Sequence, residues 1–157
     1  MHATALIAED EPLLAQALQA ELQRLWPQLQ VLAIAGNGQV AVERALALKP
    51  DVCFFDIRMP GQNGVEAAQA LAEDWPDAAA AGADFPLIVF VTAYEQYALQ
   101  AFQAAAVDYV LKPVEPERLA QTCTRLQSLL AQRAGAGRSV DAAVEQAPCV
   151  QRVCVFK

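Results

Sequence analysis

The sequence predicts an α/β domain with a parallel sheet and helices on both of its faces. Five short apolar runs alternate with five stretches whose apolar residues recur at three- or four-residue steps. One run, Val-Cys-Phe-Phe at 52–55, is uninterrupted, which is typical of a parallel strand buried on both faces. Apolar residues make up 55% of the 157 residues, which is ample for the core of one domain.

The predicted strands are short and mostly apolar. They cover residues 3–8, 30–35, 52–55, 86–91 and 107–111. The run at 86–91, Pro-Leu-Ile-Val-Phe-Val, is expected to be the most buried strand. Because crossovers between parallel strands are right-handed, few topologies are compatible with this order.

One predicted helix follows each strand. The helices cover about residues 12–26, 38–48, 65–75, 94–105 and a last stretch from 116 onward. Pro12 is favoured in a first helical turn, and the acids ahead of it suit the positive end of the helix dipole. The periodicity predicts these inward residues: Leu14, Leu18, Leu22 and Leu25 in the first helix, Val40, Ala41, Ala45 and Leu48 in the second, and Leu119, Cys123, Leu126 and Leu130 in the last.

Composition divides the chain into a domain and a tail. Residues 3–133 carry the alternating pattern, with one long Ala/Gly loop at 76–84 that we expect to be mobile. Residues 134–148 lose all periodicity, which predicts a linker. Residues 149–157 regain strand character, which predicts either a tail strand or the start of an output domain cut short here.

The charge balance is acidic, with 11 Lys plus Arg against 18 Asp plus Glu. Such a chain is a poor candidate for binding nucleic acid or anionic membranes directly, so any DNA binding would need another domain. The N-terminus reaches Glu9 before an apolar signal region forms, and no apolar run is long enough to span a membrane. The four cysteines lack metal or CxxC spacing, which favours reduced thiols in a cytoplasmic protein.

Polar residues follow four of the predicted strands: Glu9 with Asp10, then Asp56, Thr92 and Lys112. Each alone has an ordinary structural explanation, such as a helix-capping Asp. Because parallel strands end at one edge of a sheet, however, we expect these side chains to converge there. Three close carboxylates need a cation, and hard oxygen ligands that leave room for water favour Mg²⁺. A lysine and a hydroxyl beside them complete a pocket for a phosphoryl group.

This geometry predicts phosphoryl transfer to a carboxylate. Asp56 would act as the nucleophile and form an aspartyl phosphate. The metal and Lys112 would neutralise the charge on the phosphoryl oxygens.

The pattern resembles the receiver domain of two-component response regulators. An acidic pair follows the first strand, Asp-x-x-Met-Pro-Gly the third, Thr-Ala the fourth and Lys-Pro the fifth. The resemblance covers about residues 3–133 and implies a flavodoxin-like fold with strand order 2-1-3-4-5, an order already known for receiver-fold proteins. It also implies a Mg²⁺-dependent signalling switch rather than an enzyme.

The resemblance assigns a role to each site residue. Asp56 is the implied phosphoacceptor, and Asp10, Asp56 and the backbone carbonyl of Arg58 are the implied Mg²⁺ ligands. Glu9, at a position where Asp is commoner, would act mainly through water. Thr92 and Lys112 would bind the phosphoryl oxygens.

Two features of the fifth strand also match the family. Tyr109 matches an aromatic switch that moves inward when Thr92 is drawn toward the phosphate. The residues alone would favour a surface tyrosine on an amphipathic strand. The Lys112-Pro113 bond is similar to the family's cis peptide.

A finer resemblance concerns partners. Glu9-Asp10-Glu11-Pro12-Leu13 and Thr92-Ala93-Tyr94 are similar to receivers attached to a LytTR-type DNA-binding output domain. The implied phosphodonor is a sensor histidine kinase or a small acyl phosphate, because the only histidine is His2. A homodimer is implied through the fourth helix, fifth strand and fifth helix, with Phe102 and Gln103 taking part.

Three alternatives compete with the receiver interpretation. Gly36-x-Gly38-x-x-Ala41 follows a strand and imitates a dinucleotide-binding turn, with Asp56 ending the next strand. In sequences that resemble aspartate-nucleophile phosphatases, a second Asp lies two places after the nucleophile. This chain has Arg58 at that position, so it lacks the second Asp. A receiver-fold interaction module would work without phosphorylation.

Overall fold

Five parallel strands form one sheet in the order β2-β1-β3-β4-β5, in a computed structural model of the chain. The described residues are 2–76, 84–93 and 106–138, with side chains described through residue 134. The strands are β1 (Ala3–Ala8), β2 (Leu29–Ala35), β3 (Val52–Phe55), β4 (Leu87–Thr92) and β5 (Asp108–Leu111). The predicted fold class and strand order are confirmed.

The described helices are α1 (Pro12–Leu25), α2 (Gly38–Leu48), α3 (Gly64–Asp74) and α4 (Pro116–Arg138). The last of these, α4, is the fifth helix of the prediction. The predicted helix at 94–105, including Phe102 and Gln103, lies outside the described residues, as do residues 77–83 of the predicted loop. Among the helices described, none is both long and apolar enough to cross a membrane.

Two core clusters lie on opposite faces of the sheet, because side chains alternate along a strand. Phe55 packs with Leu71 of α3 on one face, and Phe54 packs with Leu22 of α1 and Leu126 of α4 on the other. All four residues of β3 are buried, as predicted for a central parallel strand.

Local side-chain contacts explain where the helices begin. Pro12 occupies the first turn of α1. The Asn37 side chain accepts a hydrogen bond from the Val40 N–H at 2.9 Å and caps α2. Asn63 and Glu66 form a reciprocal capping box at the start of α3.

The prediction that Leu14 and Leu48 face the core is wrong. Leu14 is 40% exposed and Leu48 is 39% exposed, while Ala15 and Val42 are buried in their place. Ala15 and Leu14 are both one helical turn from Leu18, so the periodicity is compatible with either. Leu48 is the last residue of α2, at the end of its buried stripe.

The last helix, for which the sequence predicts a start but no end, overlaps the first residues of the predicted linker. It continues to Arg138, past residue 134 where the sequence predicts a linker. The rest of that stretch and the predicted further strand at 149–157 lie outside the described residues.

Candidate functional site

Four strands of the sheet deliver polar side chains to one edge. Glu9 follows β1, Asp56 follows β3, Thr92 ends β4, and Lys112 follows β5. The backbone N–H of Asp56 donates to the carbonyl of Ala8 at 2.9 Å, and that of Lys112 to the carbonyl of Thr92 at 2.8 Å. The convergence predicted from the strand ends is therefore confirmed for Glu9, Asp10, Asp56 and Lys112, and the backbone of Thr92 lies beside that of Lys112.

Three carboxylates form a cluster at this edge. Oxygen atoms of Glu9, Asp10 and Asp56 all lie within 4.8 Å of one another. Glu9 and Asp56 are 6% and 8% exposed, whereas Asp10 is exposed to solvent. The cluster is therefore buried on one side and accessible on the other.

Lys112 bridges two of these carboxylates. Its Nζ donates to Oε1 of Glu9 and, at 3.0 Å, to Oδ2 of Asp56. Burial is the main reason that the pKa of Glu9 rises to about 7; the Asp56 carboxylate acts in the same direction, and the Lys112 hydrogen bond opposes both. Burial alone would lower the pKa of Lys112, but its bonds to Glu9 and Asp56 outweigh burial and raise it.

The donor set of this cluster fits a magnesium ion. Carboxylate oxygens are the hard ligands that Mg²⁺ prefers, and the exposed side at Asp10 leaves room for the waters that this ion retains. One lysine charge cannot balance three ionised carboxylates, so a divalent cation would stabilise their charged forms. Glu9, Asp10 and Asp56 are the side chains that could hold it.

The loop from β3 to α3 completes this edge. Ile57 and Met59 are buried in the core, and Arg58 between them is exposed. Gly61 has a φ of +75°, which provides the turn that Pro-Gly predicted. The Gly64 N–H donates to the carbonyl of Ile57 at 2.8 Å and closes the loop beneath Asp56.

Thr92 and Tyr109 lie on neighbouring strands. Thr92 is fully buried at the end of β4. Tyr109 is half-buried and packs against the core cluster on the α2 and α3 face, so its side chain is not fully exposed on the surface. The Lys112–Pro113 peptide bond is cis, as the resemblance implied.

Comparison with known families agrees with this geometry. The profile of the response regulator receiver domain matches residues 5–124, which is most of the chain.

The chain belongs to the response regulator receiver domain family.

Receiver domains are signalling modules of two-component systems rather than enzymes. The dinucleotide-binding and phosphatase alternatives are therefore wrong.

The curated relatives that this chain matches are longer proteins. A response regulatory protein of Vibrio cholerae is 45% identical over 127 residues, 81% of this chain and 46% of the relative. The sensory transduction protein LytT of Bacillus anthracis is 38% identical over 117 residues, 74% of this chain and 44% of that protein. The chain thus spans about half the length of the curated relatives it matches.

Solved structures agree with the receiver fold. The receiver domain of AraT, a response regulator from Geobacillus stearothermophilus, superimposes with a TM-score of 0.73 at 28% identity. The match covers 85% of this chain and 99% of that one.

Sequence reasoning missed a second charged cluster, on β5 and α4. Asp108 is 9% exposed and accepts hydrogen bonds from the Tyr109 N–H, Thr122 Oγ1 and both terminal nitrogens of Arg118, at 2.7–3.2 Å. Burial alone would raise the pKa of Asp108, but these bonds hold it below its ordinary value of 3.8. The sequence feature that could have revealed this cluster is an acidic residue in a buried strand, together with Arg118 and Thr122 one turn apart on a helix.

Proposed function

We propose that this receiver domain is a phosphorylation-dependent switch in which Asp56 accepts a phosphoryl group in the presence of Mg²⁺. The observation that carries the proposal is the cluster around Asp56, where side chains from three strand ends meet. Glu9 and Asp10 follow β1, and Lys112 follows β5. A carboxylate beside two acids and a lysine suits a nucleophile that works on an anionic donor.

Glu9, Asp10, Asp56 and the backbone carbonyl of Arg58 would hold the metal, with Glu9 acting mainly through water. When bound, Mg²⁺ supplies positive charge that offsets the charge on the phosphoryl oxygens. Lys112 supplies a second positive charge, because its ammonium group already lies 3.0 Å from Oδ2 of Asp56.

The proposed step is a displacement at phosphorus. A carboxylate oxygen of Asp56 forms the new O–P bond while the bond from phosphorus to the donor breaks. The electron pair of that bond leaves with the donor, which is an imidazole or a carboxylate. Lys112 and the Thr92 hydroxyl then bind the phosphoryl oxygens, and Tyr109 moves inward behind Thr92.

The phosphodonor has to be another molecule. His2, the only histidine in the chain, directly precedes β1 and therefore lies at the sheet edge opposite Asp56. A sensor histidine kinase in the cytoplasm is the proposed donor, and a small acyl phosphate can replace it. The buried free thiols of Cys53 and Cys123 suit a reducing compartment.

The proposed output is control of transcription through a LytTR-type DNA-binding domain. The similarity to LytT supports this subtype, and so does the length of the relatives, about twice that of this chain. The chain has a net charge of −7, and a negatively charged chain is repelled by the phosphates of DNA. The DNA contacts would therefore belong to the output domain, and the receiver would regulate them. Phosphorylation would favour a homodimer through the region of residues 94–105, β5 and α4.

The experiment that tests phosphorylation is intact mass spectrometry after incubation with acetyl phosphate and Mg²⁺. We expect a gain of one phosphoryl group in the wild type. We expect no gain in Asp56→Asn or in a sample treated with EDTA. A wild type that stays unmodified, even with a histidine kinase as donor, would instead support the receiver-fold interaction module.

A further inference from the structure

Two glycines near the site lie too close to other backbone segments to carry a side chain. A Cβ at Gly38, the first residue of α2, would lie 2.2 Å from the carbonyl oxygen of Gln62. A Cβ at Gly64 would lie 2.2 Å from the carbonyl oxygen of Asp56. Neither glycine has a positive φ, so the close approach is what requires glycine at these positions.

We infer that Gly38 is a positioning residue for the metal site, because it fixes the loop that joins Asp56 to α3. This inference rests on the proposed function. Gly38 is not a member of the carboxylate cluster, which is formed by Glu9, Asp10 and Asp56. It acts through Gln62, which is two residues from Gly64 and shares the loop with Arg58, whose carbonyl is a proposed ligand.

The loop is held at both of its halves. Its first half is anchored by the buried side chains of Ile57 and Met59. Its second half lies between two backbone contacts, Gly38 against Gln62 on one side and Gly64 against Asp56 on the other. Because only Met59, Pro60 and Gly61 separate Arg58 from Gln62, we expect a shift at Gln62 to be transmitted to the segment that carries the Arg58 carbonyl.

A methyl group at position 38 would have to displace this loop. The atom it meets is a backbone oxygen at 2.2 Å, which cannot rotate away as a flexible side chain could. Relieving the contact takes a displacement on the order of 1 Å, and misplacements of this size at a site can cost about 100-fold in function. Residues that position metal ligands typically change metal affinity by about 10- to 100-fold when replaced.

Gly36 provides a matched control two residues earlier. A Cβ there would meet no atom within 4 Å, and its φ is not positive. Gly36→Ala therefore makes the same chemical change at the same turn without pressing on the loop. The comparison of the two glycines also explains the second glycine of the Gly36-x-Gly38 pattern, because Gly38 allows α2 to pack closely against the loop.

The test is a Mg²⁺ titration of the full chain in the absence of any phosphodonor. The chemical shifts of the backbone amides, measured by NMR, are the readout. We expect Gly38→Ala to weaken Mg²⁺ affinity at least about tenfold and Gly36→Ala to leave it unchanged. Asn37→Ala, which removes the 2.9 Å cap of α2, serves as the stability control. It should lower the urea midpoint without changing Mg²⁺ affinity.

Two results would overturn the inference. One is a folded Gly38→Ala protein with wild-type Mg²⁺ affinity, and the other is an equal loss in Asn37→Ala. If Gly38→Ala does not fold, the Mg²⁺ titration of the wild type tests the inference instead. Coupling between two sites is reciprocal, so Mg²⁺ binding should in turn affect the surroundings of Gly38. The Gly38 amide signal should then shift with the same Mg²⁺ midpoint as the Asp56 loop, and no shift would refute the inference. A wild type that binds no Mg²⁺ refutes the proposed function instead.

Discussion

The ammonium group of Lys112 lies 3.0 Å from Oδ2 of Asp56, although 56 residues separate them in the chain. The same group bonds Glu9, so the side chain that follows β5 joins the ends of β1 and β3. Two negative charges are thereby held close together at a buried position. This arrangement prepares the site for a cation and for an anionic substrate.

Removing the lysine charge should strengthen metal binding. A Lys112→Met variant keeps most of the side-chain volume and leaves the carboxylates without their ammonium partner. Because the positive lysine repels a divalent cation, we expect Mg²⁺ to bind on the order of tenfold more tightly, or about 1.4 kcal/mol. Phosphorylation should nevertheless slow, because a phosphoryl-binding charge is lost. Isothermal calorimetry and phosphorylation rates measure the two effects.

Lys49→Met is the control for this prediction. The Lys49 ammonium lies 5.0 Å from the centre of the Trp75 ring, and its Nζ donates to the Leu46 carbonyl. The variant should leave both Mg²⁺ affinity and phosphorylation rate unchanged. Weaker Mg²⁺ binding in Lys112→Met would contradict the electrostatic account of the cluster.

Asp108→Asn should destabilise the link between β5 and α4. Charged hydrogen bonds from Arg118 and Thr122 are weakened, and a loss of about 2 kcal/mol is expected at neutral pH. Since the pKa of Asp108 is lower in the folded state than its ordinary 3.8, its contribution is complete above that pH and disappears as the pH falls through the folded value. The stability difference between wild type and variant should therefore shrink in acid.

Urea unfolding at several pH values measures this difference. Asp84→Asn is the matched control, because Asp84 is exposed and outside the Asp108 cluster. It should have little effect at any pH. A difference for Asp108→Asn that stays constant down to strong acid would show that the charge of Asp108 contributes nothing.

The buried thiols should be unreactive in the native state. Burial raises the pKa of Cys53 well above its ordinary range and that of Cys123 to about 11, and the thiolate is the reactive form. A short pulse of N-ethylmaleimide near neutral pH should leave both unlabelled, as read by peptide mass mapping. Urea should make both reactive. Rapid native labelling of Cys53 would show that β3 opens far more often than a central strand should.

Phosphorylation should change the association state. Beryllium fluoride with Mg²⁺ mimics the phosphoryl group on a carboxylate, and we expect it to double the solution mass measured by light scattering. Asp56→Asn should stay at its starting mass under the same conditions. A wild-type mass that is unchanged by the mimic would argue against dimerisation through β5 and α4.

Much of the fold was predictable because the relevant signals are local. The apolar runs located β1 and β3 at their observed bounds, and the polar residues after the strands predicted which side chains meet. The strand order came from the resemblance to receivers. No local pattern specifies which strands are neighbours.

The remaining features depend on contacts between distant segments. Periodicity could not choose between Leu14 and Ala15, because both fit the same helical stripe and only packing against the sheet decides. The pattern around Gly38 imitates a dinucleotide-binding turn, but glycine is required there because the carbonyl oxygen of Gln62, 24 residues later in the chain, lies too close for a side chain. The bonds between Asp108 and α4 likewise require the two elements to be docked.

The most direct test of the central claim identifies the phosphorylated atom by chemistry. Borohydride reduces an aspartyl phosphate to homoserine, and peptide mass spectrometry then locates the change. After incubation with acetyl phosphate and Mg²⁺, Asp56 should be converted to homoserine, and omitting either reagent should abolish the conversion. Homoserine at Asp10 or another acid instead, or at no position, would contradict the assignment of Asp56 as the phosphoacceptor.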